Sequence, residues 1–398
     1  MTSAPATGAR NQHRPAFIAV MTLVSVALGT SGAPAALYGT YAEKWHFEEI
    51  TTTLIFSVYA GAALIAVLVT GSISDRYGRR PVLISAIVLI LAGLVLFMTA
   101  SGVGALLVAR TLHGLGIGAT VVASSAALLD LRPDDGARTG RTTGVSFNFG
   151  IAVIVIATGW LVDHGPRPLV TPFAVLTAIF VVLLIAVVVM PEPHATDRAT
   201  SLHVARPQVP PSIRASFRFS VLGAMAAWSV LGVFLSLYPT IASRSIGADN
   251  VLFGAAVVGI SAAAGGVAMA ITGTWDAKRT AMTGDFGTAA FLLLAIPAVH
   301  SGHAWAVVAD ATALGAFFGM AFGSSLRHLM ERVPPEHRGE VMSAFYVMAY
   351  SAMAMPTIFV GWAATQWSAE DIFGPFMALV ATACVTAGWL GLRSGEDE

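Results

Sequence analysis

Three ionisable side chains interrupt long apolar stretches of this chain: Arg110, His113 and Asp310. A charge deep in hydrocarbon costs about 2.5–3.5 kcal/mol on insertion scales, so each should face a cavity or a partner. Arg110 and Asp310 stand 200 residues apart, and Arg132 with Arg332, Arg138 with Arg338 and Ser124-Ser125 with Ser324-Ser325 share that offset. A base and an acid at matching places in two repeats suggest proton chemistry. A carboxyl alone in an apolar surround holds its proton, and beside a guanidinium it gives the proton up. His113 is a second group suited to titration. Plainer readings stand beside these: Arg110, roughly 9 Å from a helix end, snorkels to the surface; Asp310 is wetted at an outer end near His303 and Trp305; His113 is packed in a core. Asp130, Asp163 and Asp285 are expected near helix ends.

The elements that must carry these residues follow from composition. Of 398 residues, 56% are hydrophobic and 11% charged, well below the roughly 25% charged of soluble domains. Pro81–Ala109 contains no Asp, Glu, Lys or Arg, and about 20 apolar residues cross a bilayer as a helix. The fold class is therefore an all-α membrane protein. Charge-poor segments predict twelve spans: Phe17–Leu37, Thr52–Ile73, Val82–Met98, Gly104–Leu128, Thr142–Val162 and Val170–Met190, then Phe219–Ile241, Val251–Gly273, Ala281–Val299, Ala304–Leu326, Val341–Thr365 and Ile372–Leu392. Residues 191–218 turn to Pro, His, Arg and Ser and read as a linker between an N-terminal half, 1–190, and a C-terminal half, 219–398. Arg10, His13 and Arg14 before an apolar run resemble a secretory leader with an Ala33-Pro34-Ala35 site, but the run is long for one and its loss would leave an odd number of spans.

With both termini inside, 18 of the 22 basic residues fall in cytoplasmic segments, which predicts a multi-pass protein of the inner (plasma) membrane with cytoplasmic termini. Equal numbers of basic and acidic residues leave no field to recruit nucleic acid. Cys384 is the single cysteine, so no internal disulfide or thiolate metal cluster can form. No metal site is expected.

Between the second and third spans the chain reads Gly71-Ser-Ile-Ser-Asp75-Arg76-Tyr-Gly78-Arg79-Arg80-Pro81. Gly71 permits close helix packing, Gly78 a tight turn, and the arginines anchor the loop at the membrane surface. A solvated positive loop explains the arginines but not Asp75 or the spacing. That spacing resembles the signature loop of the major facilitator superfamily, and Gly273 and Asp276 echo it weakly in the second half. The resemblance covers essentially the whole chain. It implies twelve helices in two pseudosymmetric six-helix halves with the substrate site between them. It also implies that Asp75 locks the cytoplasmic side in the outward-facing state by meeting the start of the eleventh helix, near Gly339–Ser343. A second stretch, Arg110-Thr-Leu-His113-Gly114-Leu-Gly116-Ile-Gly118, is similar to the Arg-x-x-x-Gly-x-Gly motif of proton-coupled drug exporters and some other branches of the superfamily. The fifth span departs from that branch: it has Gly144, Gly150 and Gly159 but no proline.

The resemblance implies a secondary active transporter using alternating access, read here as exporting small lipophilic or amphipathic compounds in exchange for protons; the residues' own placement makes Asp310, Arg110 and His113 the candidate coupling groups. Uptake of a small anionic metabolite, bound by Arg110, is the alternative. Tyr38, Asn148, Phe149, Trp228, Tyr238, Tyr346, Tyr350 and Met353 are candidate cavity residues, a lining that suits amphipathic solutes better than sugars; each aromatic has helix packing or an interfacial belt as its plainer role. No phosphate-binding loop and no hydrolase motif is present, so no enzyme activity and no cofactor beyond the proton gradient is expected. The expected partners are a small-molecule substrate and the lipid bilayer, with the chain acting as a monomer.

Overall fold

The computed structural model describes residues 14–132, 135–194, 206–248, 250–334 and 337–393. Much of the expected linker, residues 195–205, and the first basic cluster at Arg10 and His13 lie outside the described residues. Among the described residues are twelve helices long and apolar enough to cross a membrane and no strand. Only a helix closes all its own backbone hydrogen bonds within one crossing segment, which is why apolar runs of this length fold this way.

Spans one to six are Arg14–Trp45, Glu49–Tyr77, Arg79–Thr99, Val103–Leu131, Arg138–His164 and Thr171–Val189. Spans seven to twelve are Pro211–Phe234, Val251–Thr272, Ala277–His300, Ala304–Arg332, Arg338–Gln366 and Asp371–Arg393. Most helices run past the apolar stretch into polar residues at one end. Arg76, Arg79, Arg138, Arg332 and Arg338 are all helical; nearly all arginines cluster on one side, here called the basic face.

The two halves are packed alike. In the first, span one lies against four and five, span four against two and three, and span three against six. In the second, span seven lies against ten and eleven, span ten against eight and nine, and span nine against twelve. The halves meet where span five packs on eight and span two on eleven. Small residues set these approaches, because apolar side chains gain nothing by leaving lipid for one another. A methyl at Gly150 of span five would lie 2.0 Å from the Ser25 carbonyl of span one, and one at Gly114 of span four 2.4 Å from the Tyr59 carbonyl of span two. Large apolar side chains such as Val182, Ile185 and Val189 stay exposed, as lipid-facing positions must.

Span one and span seven are both broken. Span one passes through a 3-10 turn at Ala33–Leu37 and resumes as Tyr38–Trp45. After Phe234 span seven turns at Leu235–Leu237 and continues as Tyr238–Ser245. The short helices have equal length, eight residues, and start 200 residues apart at a tyrosine.

Overpacking at a closed contact costs about 1–3 kcal/mol or more. Gly150→Val is therefore expected to lower the thermal midpoint and monodispersity of the purified protein, whereas Gly71→Ala, whose site is open, should match wild type. Equal melting curves for Gly150→Val and wild type would refute the contact.

Candidate functional site: a central aromatic cavity

Arg110 is fully buried and does not snorkel. Its Nη1 donates to the Ser31 carbonyl at 3.0 Å, and its guanidinium lies 4.5 Å from the Tyr59 ring centre, 5.6 Å from Phe56 and 5.8 Å from Tyr38. Ser31 stands at the break in span one. Pro34, three residues on, has no N–H to give that carbonyl in the 3-10 register, so it is left for the arginine. Aromatic faces supply the rest of the attraction, which rises to about 2 kcal/mol when the cation is desolvated.

Asp310 is buried too, at 6% exposure, so it is not a wet outer-end residue. Neither carboxylate oxygen has a hydrogen-bond partner, and its charge acts on Tyr238. The repeat is thus doubled: Arg110 backs onto Tyr38 and Asp310 neighbours Tyr238, each tyrosine opening the short helix after a break. Arg110 and Asp310 do not meet; each is enclosed in its own half. His113 is fully buried against Phe97, ring centres 5.1 Å apart, and its ring fills the space a methyl on Gly93 would need. It lies within the first half and does not line the cavity.

Between the halves lies a cavity of about 170 Å³. Asn148, Trp228, Tyr350 and Met353 of the predicted residues line it, joined by Ser31, Tyr59, Phe147, Ser261, Phe318 and Phe322, which sequence reasoning missed. Trp228 and Tyr350 meet edge to face at 4.8 Å, and Asn148 donates through its amide to the Gly144 carbonyl at 3.0 Å, leaving its oxygen as an acceptor. No charged side chain is in the lining. Tyr238 is buried away from the lining, Tyr38 borders a smaller pocket between the short helices of spans one and seven, Phe149 is 40% exposed, and Tyr346 sits a turn from Tyr350 outside the lining. These four do not form the cavity, because the faces they occupy depend on helix breaks and rotation that span length alone does not set.

The halves touch at three places on the side opposite the basic face. Gly32 meets Leu235, Thr53 meets Gly361, and Gly159 meets Ala255. There Asp163, at the end of span five, accepts from the backbone N–H of Val251 at 3.0 Å and of Leu252 at 2.8 Å, capping span eight across the interface. The nearby Glu49–Arg244 pair, 3.9 Å apart and largely exposed, adds little. On the basic face, Gly78 turns the chain at φ 100. Arg79 is buried and bonds Asp75 at 2.5 Å, the Ser74 hydroxyl at 3.0 Å and Asp130 at 3.0 Å. Glu192, past span six, accepts from the N–H groups of Arg79 and Arg80 at the start of span three, and Arg80 also bonds the Val188 carbonyl. The expected meeting of Asp75 with the start of span eleven is not made: its carboxylate is half exposed and paired within its own loop. In the second half, Asp276 is an N-cap, accepting from the Arg279 N–H at 2.8 Å, and opens span nine.

The sequence profile of the Major Facilitator Superfamily matches residues 18–357. The chain belongs to this superfamily. It is also 28% identical to the uridine/deoxyuridine transporter of Lactococcus lactis subsp. cremoris (strain MG1363) over 177 residues, 43% of this chain and 36% of that protein. The Asp163 cap ties span five to span eight, so the two must part there if the halves separate on that face. A charge at a helix N-terminus is worth up to about 1 kcal/mol at such a site. In a Cys384→Ala background, a cysteine replacing Thr240, which lies beside Gly39 in that seam, should react with an impermeant maleimide about fivefold faster when Asp163 is changed to Ala. An unchanged rate would show that the cap does not hold the seam.

Proposed function

We propose that this superfamily member is a proton-coupled transporter that exports small, uncharged, ring-bearing amphipathic solutes across the inner membrane. The cavity lining carries the reading: three aromatic side chains with a polar edge, Tyr59, Trp228 and Tyr350, and one amide and two serines stand among apolar walls, with no charge. Such a lining stacks on flat rings and supplies a few directional hydrogen bonds. A small anion would find no cation in that lining, Arg110 lying behind it on the Ser31 carbonyl; this weighs against anionic metabolite uptake. Nucleoside uptake is the second reading, favoured by the similarity to the uridine/deoxyuridine transporter of Lactococcus lactis and compatible with the same lining.

Asp310 is the proton carrier in this reading. A carboxylate left bare in the bilayer interior costs several kcal/mol, so it takes a proton when sealed and loses it when a rearrangement admits water. The excess of arginine favours a cytoplasmic basic face, and the contacts that join the halves on the opposite face support an inward-facing reading. Asp75 is then the cytoplasmic lock of the opposite state, idle here on Arg79.

The test uses everted vesicles with an inside-acid gradient, supplied in parallel with an uncharged fluorescent aromatic probe and tritiated uridine. Gradient-driven accumulation of the probe is expected. It should fall at least tenfold in Asp310→Asn with binding retained, and Asn148→Leu should weaken binding about fivefold through one lost hydrogen bond. Uridine accumulated only by right-side-out vesicles would move the reading to nucleoside uptake. Gradient-driven transport unchanged in Asp310→Asn would remove that residue from coupling.

A further inference from the structure

The interior of the second half holds polar groups that the central cavity does not use. Asp285 is expected near a helix end, but span nine begins at Ala277 and carries it eight residues inward, to 1% exposure. Neither of its oxygens has a hydrogen-bond partner. The carboxylate occupies the space beside Gly223 of span seven, where a methyl would lie 2.9 Å from Oδ1, and its charge acts on Cys384 of span twelve.

Three buried hydroxyls without partners lie on the surrounding helices: Ser220, Thr288 and Ser325. Ser220 is one turn from Gly223 on the same face of span seven, and Thr288 is one turn from Asp285. Ser325 is one turn from Ala321, which packs against Gly284. One turn nearer the basic face on span ten is His328, whose ring meets Phe219 edge-on at 5.3 Å and whose Nδ1 is 3.0 Å from Arg332. These residues mark a polar seam inside the second half, from the basic face up to Asp285.

The groups facing Asp285 are otherwise uncharged. Cys384 faces it from span twelve, and Gly223 with Ser220 and Ser325 with Ala321 stand on spans seven and ten. The cations of these helices, Arg214, Arg218, Lys278, Arg279, Arg327, Arg332 and Arg393, lie toward the basic-face ends, and among the described residues none pairs with Asp285. A buried carboxylate with no cation and no donor carries the full desolvation penalty of its charge. Binding a proton removes that charge.

We propose that Asp285 is a proton-binding site of the second half, separate from the central cavity and from Asp310, filled from the basic face along Ser325, Ser220 and His328. The step is a simple protonation: a water-borne proton forms an O–H bond on the carboxylate and leaves by the same route when the seam hydrates. The transport cycle then has two sealed acids at different depths of one half, one behind the cavity and one beneath it.

The test needs neither substrate nor gradient, so it stands apart from the transport reading. Purified protein in lipid nanodiscs, unbuffered and carrying a soluble pH indicator, is stepped from neutral to alkaline pH. Wild type and Asp310→Asn are each expected to release one proton more than their counterparts with Asp285→Asn added, and Asp285→Glu should restore that proton. Equal release with and without Asp285→Asn overturns the proposal. Release triggered by NaCl at constant pH overturns the proton assignment in favour of a metal cation. If Asp285→Asn does not assemble, dicyclohexylcarbodiimide, which adds to protonated carboxyls, decides on wild-type protein. Peptide mapping should place the adduct on Asp285 at neutral pH, with labelling lost at alkaline pH. An unmodified Asp285 in a sample labelled at Asp310 overturns the assignment.

Discussion

A guanidinium cannot lie bare in hydrocarbon, and the first half is arranged around that constraint. Arg110 is held by one carbonyl and three aromatic rings, with no carboxylate. The carbonyl is available because span one breaks at Ser31, the break follows from Gly32-Ala33-Pro34, and the resumed helix begins with Tyr38. Tyr59 packs over the cation from span two and turns its other side to the cavity. One sequence feature, a proline two residues past a glycine, thus shapes the cavity wall.

The second half repeats this scaffold with the charge reversed. The same pairs of helices pack together, and span seven breaks where span one does. What differs is the fate of the charge. A cation can be soothed by ring faces and a carbonyl; an anion needs donors, and Asp310 and Asp285 have none. The pseudosymmetric partner of the arginine is therefore a buried acid with no hydrogen-bond donor. The repeat thus keeps its scaffold while the two halves bury charges of opposite sign.

Much of the fold was legible in the sequence. Runs such as Pro81–Ala109 have no other stable form in a bilayer, and the 200-residue offset exposed the repeat. The loop from Gly71 to Pro81 and the stretch from Arg110 to Gly118 indicated the superfamily, and the profile over 18–357 agrees. Direction was less legible. Tyr38 and Tyr238 fall within the expected first span of each half, but each opens a short helix after a break, and neither lines the cavity. Paired interruptions at Pro34 and Pro239 were the available signal. Asp285 was assigned to a helix end because apolarity marks the hydrocarbon, whereas the helix itself runs on into polar residues. Asp130, Glu192 and Asp163 act on partners 51 to 113 residues away, contacts that no local pattern encodes.

The cap on span eight differs in kind from the ion pairs around it. Asp163 binds the main chain, not a side chain, so the identity of its partner residues is irrelevant to the bond. Val251 and Leu252 are free to drift through any residue but proline, and the contact persists. Glu192 treats the start of span three the same way. A pair such as Glu49 and Arg244 must change in concert, since either partner alone ends it. The seam between spans five and eight and the start of span three are thus each fastened by a contact whose upkeep rests on a single codon.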